Sequence, residues 1–169
     1  LFTIPVDGRG DWGPSLLRKD YLNTLKKNLD WLQIIPHGFN HRGSEMQFQT
    51  RESCKNLLGL IKYQFESDNL PFEKGLGAPH WRWNEVVVKV LDEWNWWGAV
   101  DKRQPDMLRT KRFYQYSYCI DEQFPIEGEV KLHGHIYGTP NDIGRCFDNL
   151  LRLPQDTEWH FVTDFLEGI

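Results

Sequence analysis

Two histidines four residues apart, His37 and His41, are the side chains in this sequence best suited to metal chemistry. They follow an apolar run at 31–36 that is typical of a buried strand. If the chain turns helically after that strand, both imidazoles lie on one face and can bind the same cation. Imidazole nitrogen suits Zn²⁺, Fe²⁺, Co²⁺ or Ni²⁺, but a complete site needs a further ligand, usually a carboxylate. The alternative from the spacing alone is a pair of ordinary polar loop histidines.

The elements that must position these histidines alternate between strands and helices. Helices are predicted after the capping residues Asp20, Thr50 and Asn84 and at the pair Thr139 and Pro140. Strands are predicted at 1–6, 31–36, 75–79, 98–101, 113–119, 130–135 and 159–165. Strands that alternate with crossover helices predict an α/β fold with a largely parallel sheet or barrel.

Several predicted strands end on segments that carry a histidine, namely His37, His80 and His133. In parallel α/β architectures the functional site gathers at the carboxyl ends of the strands. These histidines therefore lie where a site is expected. For His80 the favoured interpretation is structural, a partly buried histidine beside aromatic residues, and His160 in a late strand is assigned no role.

The segment 37–41 reads His-Gly-Phe-Asn-His and is followed by Glu45 and Met46. It resembles the H-x-x-x-H metal motif of the polysaccharide-deacetylase (NodB-like) superfamily. The closest pattern is a branch that reads H-G-(aromatic)-x-H, followed a few residues later by Glu and a hydrophobic residue. The resemblance implies that His37 and His41 bind a divalent metal, Zn²⁺ in the first place, with Co²⁺, Ni²⁺ or Fe²⁺ as alternatives.

Further segments resemble later motifs of the family, in the right order. The segment 77–81 resembles the third motif, whose proline, here Pro79, lines the substrate groove. Leu132–His133 resembles the closing motif, a strand ending in Leu-His, whose histidine is the general acid. Between them, 96–101 lies where the family has a motif with Trp and Asp, and this match is loose. The resemblance covers nearly the whole chain.

The resemblance implies a distorted (β/α) barrel, formed by a single domain over residues 1–169. It also implies a hydrolase that removes acetyl groups from the amino sugars of a polysaccharide or glycoconjugate. His37 and His41 would hold the metal, and His133 would protonate the leaving sugar amine. Four residues are predicted to contact the substrate: Pro79, Trp81, Trp83 and His135.

Alternatives stay open for the two tryptophans and for the histidines His133 and His135. Trp81 and Trp83 lie at a strand end beside Pro79, where their rings can stack on sugar, but either can instead pack in the core. His133 and His135 are two residues apart on a strand, so their side chains point to opposite faces. The Leu-His pairing of the family favours His133 as the acid.

Two features of the family have no match here. Its opening motif is a strand ending in paired aspartates, one a metal ligand and the other the catalytic base. Asp7 and Asp11 are interpreted instead as turn residues in a Gly-rich loop. The chain is therefore expected to be N-terminally truncated, without the first strand and helix of the barrel. The basic residue of the third motif is replaced by Gly77.

Length and charge narrow the function classes. The 169 residues fit one domain. A formal net charge of −4 and a pI near 5.9 provide no basic face for nucleic acid. The sequence contains no run of about 18 apolar residues, so it predicts no membrane span. The cysteines Cys54, Cys119 and Cys146 lack C-x-x-C spacing and are interpreted as buried small apolar residues.

The main alternative to a deacetylase is a non-catalytic carbohydrate-binding or structural domain. Such a domain would have kept the fold and the two histidines but lost the acid–base pair. A third hypothesis is a different metal hydrolase on a similar barrel. Such an enzyme requires paired carboxylates, and no pair can be assigned from this sequence.

Overall fold

The computed structural model describes residues 1–5, 19–101, 104–134 and 140–168. In chain order the elements are β1 (Phe2–Thr3), α1 (Lys19–Lys27), β2 (Ile35–Pro36), α2 (Arg51–Ser67), β3 (Gly75–Gly77), α3 (Glu85–Glu93), β4 (Trp97–Asp101), β5 (Arg112–Tyr116), β6 (Tyr118–Cys119), β7 (Leu132–His133), α4 (Pro140–Leu150) and β8 (Glu167–Gly168). Helices and strands are mixed, as an α/β fold requires. The distorted barrel stays a prediction, since the described strands form three separate sheets.

The chain folds into two compact units. The first comprises Leu1–Val100, Gln104–Tyr114 and Phe161–Ile169, and the second comprises Asp101–Arg103 and Gln115–His160. His37 and His41 belong to the first unit, whereas His133 belongs to the second. The single domain over 1–169 stays a prediction.

Parallel strand pairs organise the first unit. β1 pairs with β2, with Phe2 opposite Ile35, and β3 pairs with β4, with Gly75 opposite Trp97. Parallel neighbours need a long connection, and α3 provides it between β3 and β4. β5 and β8 extend the sheet of β3 and β4, and β8 runs antiparallel to β5. The carboxyl ends of β2 and β3 lead directly into the histidine-bearing segments.

Helix α2 begins where the sequence predicts it. The Thr50 hydroxyl accepts a hydrogen bond from the Ser53 amide at 3.2 Å, and Ser53 Oγ accepts one from the Thr50 amide at 2.9 Å. This reciprocal capping box satisfies amides that the first helical turn leaves unpaired. Leu58, Ile61 and Phe65 recur at helical spacing and are fully buried, so they form the core face of the helix.

Helix α3 packs against α2. The Asn84 side chain accepts a hydrogen bond from the Val87 amide at 3.1 Å, which confirms the predicted cap. Val87, Val90 and Leu91 are fully buried and form the apolar stripe that meets α2. In the described part of the chain, no helix is long and apolar enough to cross a membrane.

The three cysteines are free thiols. Cys54 lies on the core face of α2, and burial raises the pKa of its thiol to about 11. At neutral pH it is therefore a protonated apolar group, as predicted. Cys119 and Cys146 are only half-buried, so the predicted burial is wrong for these two residues.

The second unit is built on the parallel pair β6 and β7, in which Cys119 lies opposite His133. Helix α4 is tied to this pair by Asn149, whose side-chain amide donates to the Ile120 carbonyl at 2.8 Å. The predicted helix after residue 139 is confirmed from Pro140 onward.

The strand predicted at 159–165 is wrong. Val162–Phe165 forms a 3₁₀ turn, and the strand of this region is β8. The Asp164 carboxylate accepts a hydrogen bond from the Phe161 amide at 3.0 Å. Such local side-chain capping competes with strand pairing for the same backbone groups.

Replacing Leu58 by alanine is expected to lower the free energy of unfolding by about 2–5 kcal/mol, because the lost side chain leaves a cavity in the core. Leu60 lies on the same helix but is 47% exposed. Leu60→Ala should therefore change the free energy of unfolding by no more than about 0.5 kcal/mol. Denaturant unfolding followed by circular dichroism measures both variants, and equal losses would contradict the assigned core face of α2.

Candidate functional site

His37 is held at the carboxyl end of β2 by two hydrogen bonds. Its backbone amide donates to the Thr3 carbonyl at 2.9 Å, which extends the β1–β2 pairing by one residue. Its ring nitrogen Nδ1 lies 2.8 Å from the Gly77 carbonyl oxygen, which can only accept. Nδ1 therefore carries the hydrogen, and Nε2 carries the lone pair that a metal would use.

His41 faces His37 across a tight loop. The centroids of the two imidazole rings are 5.0 Å apart. The backbone of His41 is left-handed, with φ of 55°, so the loop does not continue as the regular helix on which the spacing argument relied. The two rings are nevertheless neighbours, and the binding of one cation by both stays a prediction.

A single carboxylate holds this loop in shape. Glu45 Oε1 accepts hydrogen bonds from the amides of Phe39 at 2.9 Å, Asn40 at 3.4 Å and His41 at 3.1 Å. Burial raises the pKa of the Glu45 carboxyl, and these hydrogen bonds partly offset the rise. Glu45 is thus a positioning residue, since one of its oxygens accepts from three consecutive backbone amides of the loop.

The other characteristic positions of the motif are also structural. Gly38 has φ of 71°, and an added Cβ would lie 2.1 Å from Glu45 Oε1 and 2.5 Å from Pro79 Cγ. Phe39 and Met46 are buried in the core of the first unit. The glycine permits the close approach of Glu45, while the aromatic and the Met anchor both ends of the loop.

The loop is also fastened to helix α3. The side-chain amide of Asn84, the residue that caps α3, donates to the Gln49 carbonyl at 2.9 Å. The side-chain amide of Gln49 in turn donates to the Glu45 carbonyl. The helix cap and the histidine loop therefore form one hydrogen-bonded system.

His80 joins the two predicted ligands, which the sequence did not predict. Its ring centroid lies 4.8 Å from that of His41, and its side chain is exposed. His80 and Trp81 both have left-handed backbone, with φ of 56° and 58°. Non-glycine residues in this region cluster at functional sites, where the surrounding structure holds the strain. One sequence feature could have identified His80 as a site residue: like His37, it comes directly after a predicted strand.

The aromatic residues predicted to bind substrate lie in different surroundings. Trp81 is half-buried, and its ring meets Phe2 edge-on at 6.0 Å, while Phe2 lies 5.7 Å from His37. Trp83 is only 4% exposed and donates from its indole to the Leu108 carbonyl at 2.9 Å. Trp83 is therefore a core residue. A role in substrate binding stays a prediction for both tryptophans.

Pro79 is buried beneath the loop, next to Gly38. It opens the 3₁₀ turn Pro79–Trp81, which places His80 beside His41. The predicted contact of Pro79 with substrate is not tested by this position. His135, Asp7 and Asp11 lie outside the described residues.

In the second unit, His133 forms a cluster with an aromatic ring and a buried carboxylate. The ring of His133 packs on that of Tyr116, with centroids 4.8 Å apart and an interplanar angle of 31°. The Tyr116 hydroxyl donates to Asp101 Oδ2 at 2.9 Å, and Asp101 is buried. The sequence placed Asp101 in a loosely matching motif and did not identify Tyr116. The role of His133 as general acid stays a prediction.

The residues present fit part of a metal site. His37 and His41 supply adjacent imidazoles, and the Gly77 carbonyl fixes the tautomer of His37, as outer-shell carbonyls do for metal-binding histidines. Across residues 1–5, 19–101, 104–134 and 140–168, no group of three or more His, Cys, Asp or Glu side chains is arranged to hold a metal ion. The carboxylate expected from the family is therefore not identified in the described ranges.

Comparisons with known proteins do not extend this assignment, because no protein-family model, no curated protein and no solved structure matches the chain. The similarity to NodB-like deacetylases therefore rests on the sequence motifs. The geometry of the histidine loop is an observation independent of those motifs.

Replacing Gly38 by alanine is expected to destabilise the histidine loop, since the new Cβ would overlap Glu45 and Pro79. Gly43 is the matched control. It also has a positive φ, of 56°, but an added Cβ would have no atom within 4 Å. Gly43→Ala should lower the free energy of unfolding only by the strain of a positive φ, about 1–2 kcal/mol. Gly38→Ala should lower it by clearly more. Thermal unfolding compares the two, and a smaller loss for Gly38→Ala would contradict the described loop.

Replacing Glu45 separates its role as acceptor from its charge. Glu45→Gln keeps a side-chain oxygen for the loop amides, whereas Glu45→Leu removes it and should cost about 1–3 kcal/mol of unfolding free energy or more. Because burial raises the pKa of Glu45 in the folded state, its contribution to stability is present at low pH and falls as pH rises through that pKa. Unfolding of metal-free protein across pH should show this fall, and Glu45→Gln should remove it. Equal behaviour of the Gln and Leu variants would contradict the acceptor role.

Proposed function

We propose that this chain is a metal-dependent carbohydrate deacetylase domain, which acts on the acetamido groups of a polysaccharide or glycoconjugate. The observation that carries the proposal is the arrangement of His37 and His41. Their rings are neighbours at 5.0 Å, and the Nδ1 of His37 is bound to the Gly77 carbonyl. The order of the family-like motifs along the chain supports the substrate class.

A metal-binding histidine requires an arrangement of this kind. An ordinary loop histidine does not require it. A ligand imidazole must present a lone pair in a defined direction, and a hydrogen bond from the opposite nitrogen fixes that direction. For His37, both the backbone and the ring are held by neighbouring strands. For His41, the backbone is held by Glu45.

The proposed chemistry assigns separate tasks to the residues of the chain. A divalent ion bound by the two imidazoles would polarise the acetamide carbonyl and lower the pKa of water. His37 and His41 would hold that ion, and Trp81 offers an aromatic ring for a sugar face. In the family that the motifs resemble, the histidine that matches His133 protonates the leaving amine, a task suited to an imidazole. The products are acetate and a free amino sugar.

The first test is metal binding by the chain and by the double variant His37→Ala/His41→Ala. The chain should bind one Zn²⁺ or Co²⁺, and the double variant should lose at least about 100-fold in affinity, more than outer-shell substitutions cost. His160→Ala is the matched control, since His160 is an exposed histidine whose neighbour is Glu158 at 3.7 Å. Equilibrium dialysis with elemental analysis measures the stoichiometry.

A second measurement separates the deacetylase from the binding domain. Metal-loaded protein is incubated with N-acetylated chito-oligosaccharides, and released acetate is measured. Release that is lost in the double variant supports the deacetylase. Metal binding and oligosaccharide binding without acetate release would favour the non-catalytic domain. Metal binding that is unchanged in the double variant would remove the basis of the proposal.

A further inference from the structure

Helix α4 carries apolar side chains that the fold leaves in water. Phe147 is 62% exposed, and Leu151, which directly follows the helix, is 82% exposed. The Leu151 amide donates to the Phe147 carbonyl at 2.9 Å, so Leu151 continues the helical turn and lies beside Phe147. Gly144 lies one turn earlier on the same face, and an added Cβ would meet no atom within 4 Å. These three residues form an open apolar strip, the α4 strip.

The second unit buries few apolar side chains of its own. Among the residues of this unit whose side chains are described, Tyr116 and Phe124 are the buried apolar ones. Small units bury a small fraction of their surface and are only marginally stable, and association with another chain is a common remedy. Covering the α4 strip would therefore stabilise the unit in which burial is scarce.

The charges beside the α4 strip favour a second copy of the same helix as its partner. Asp148 and Arg152 are exposed, and each directly follows a residue of the strip, so both flank it on the same side. Consider two copies of α4 that pack antiparallel about a two-fold axis, with Phe147 of each copy facing Leu151 of the other. The same register places Asp148 of each copy beside Arg152 of the other. One helix thus carries both halves of a self-complementary contact.

We propose that two copies of this chain associate through the α4 strip, with their α4 helices antiparallel. The apolar side chains form the centre of the contact, and two symmetry-related ion pairs between Asp148 and Arg152 fix its direction and register. The contact is small, so the dimer forms reversibly and weakly. This inference is independent of the proposed function, because the histidine loop belongs to the first unit.

The first test removes the apolar centre. Sedimentation velocity of the full chain over about 1–500 μM should show a monomer–dimer equilibrium, since an interface of this size is weak. Phe147→Arg/Leu151→Arg should move the midpoint to at least about tenfold higher concentration, because it places like charges at the centre of the contact. The matched control is Leu60→Arg/Tyr63→Arg, an exposed apolar pair on α2, which should dimerise as the wild type does. Far-UV circular dichroism verifies that each variant is folded.

The second test identifies the partner as a second copy. Asp148→Arg and Arg152→Asp each set like charges against one another across the two-fold axis, and each should weaken the dimer by about 3–30-fold. The double variant Asp148→Arg/Arg152→Asp restores both ion pairs and should return the midpoint to that of the wild type. An equimolar mixture of the two single variants should also associate, since their flanks are then complementary.

Three results would overturn the proposal. The first is a wild-type chain that stays monomeric over the whole concentration range. The second is a dimer that the α2 control weakens as much as the α4 variant does, because the contact would then lie elsewhere. The third is a dimer that is unaffected by the single charge changes or is not restored by the double variant, because the antiparallel register would then be wrong.

Discussion

The candidate site depends on the hydrogen bonds that the half-buried carboxylate of Glu45 accepts from the histidine loop. The loop after β2 turns sharply and leaves the amides of Phe39, Asn40 and His41 pointing inward, where each needs an acceptor. One oxygen of Glu45 serves all three. Its burial disfavours the ionised form, as the raised pKa shows. The loop thus exchanges part of the solvation of a carboxylate for a fixed position of the His41 backbone.

The rest of the first unit holds this loop in place. Phe39 and Met46 bury their side chains in the core on either side of Glu45. The carbonyls of Thr3 and Gly77, from two neighbouring strands, bind His37. These contacts together impose the left-handed backbone at His41, which by itself is unfavourable by about 1–2 kcal/mol. The carboxyl ends of short parallel strands are suited to this task, because their terminal carbonyls point toward the segments that follow.

The features of the fold and of the site that the sequence predicts are those whose interacting residues lie close together in the chain. The caps Thr50 and Asn84 were predicted correctly, since a cap and its amide partner lie three residues apart. The strand at 159–165 was predicted wrongly, because a carboxylate within the segment, Asp164, caps a 3₁₀ turn there. His80 was assigned a structural role because aromatic residues lie beside it in the sequence, whereas its neighbour at the site, His41, lies far away in the chain.

The sequence by itself determined the histidine pair, the strands that precede His37 and His80, and the capped helices between them. These follow from residue type and short spacing, which act through local hydrogen bonds and apolar periodicity. The tertiary structure decided the tautomer of His37, the task of Glu45 and the approach of His80 to His41. Each of these depends on chain segments that meet only when the strands pair and the core closes, so no local pattern contains them.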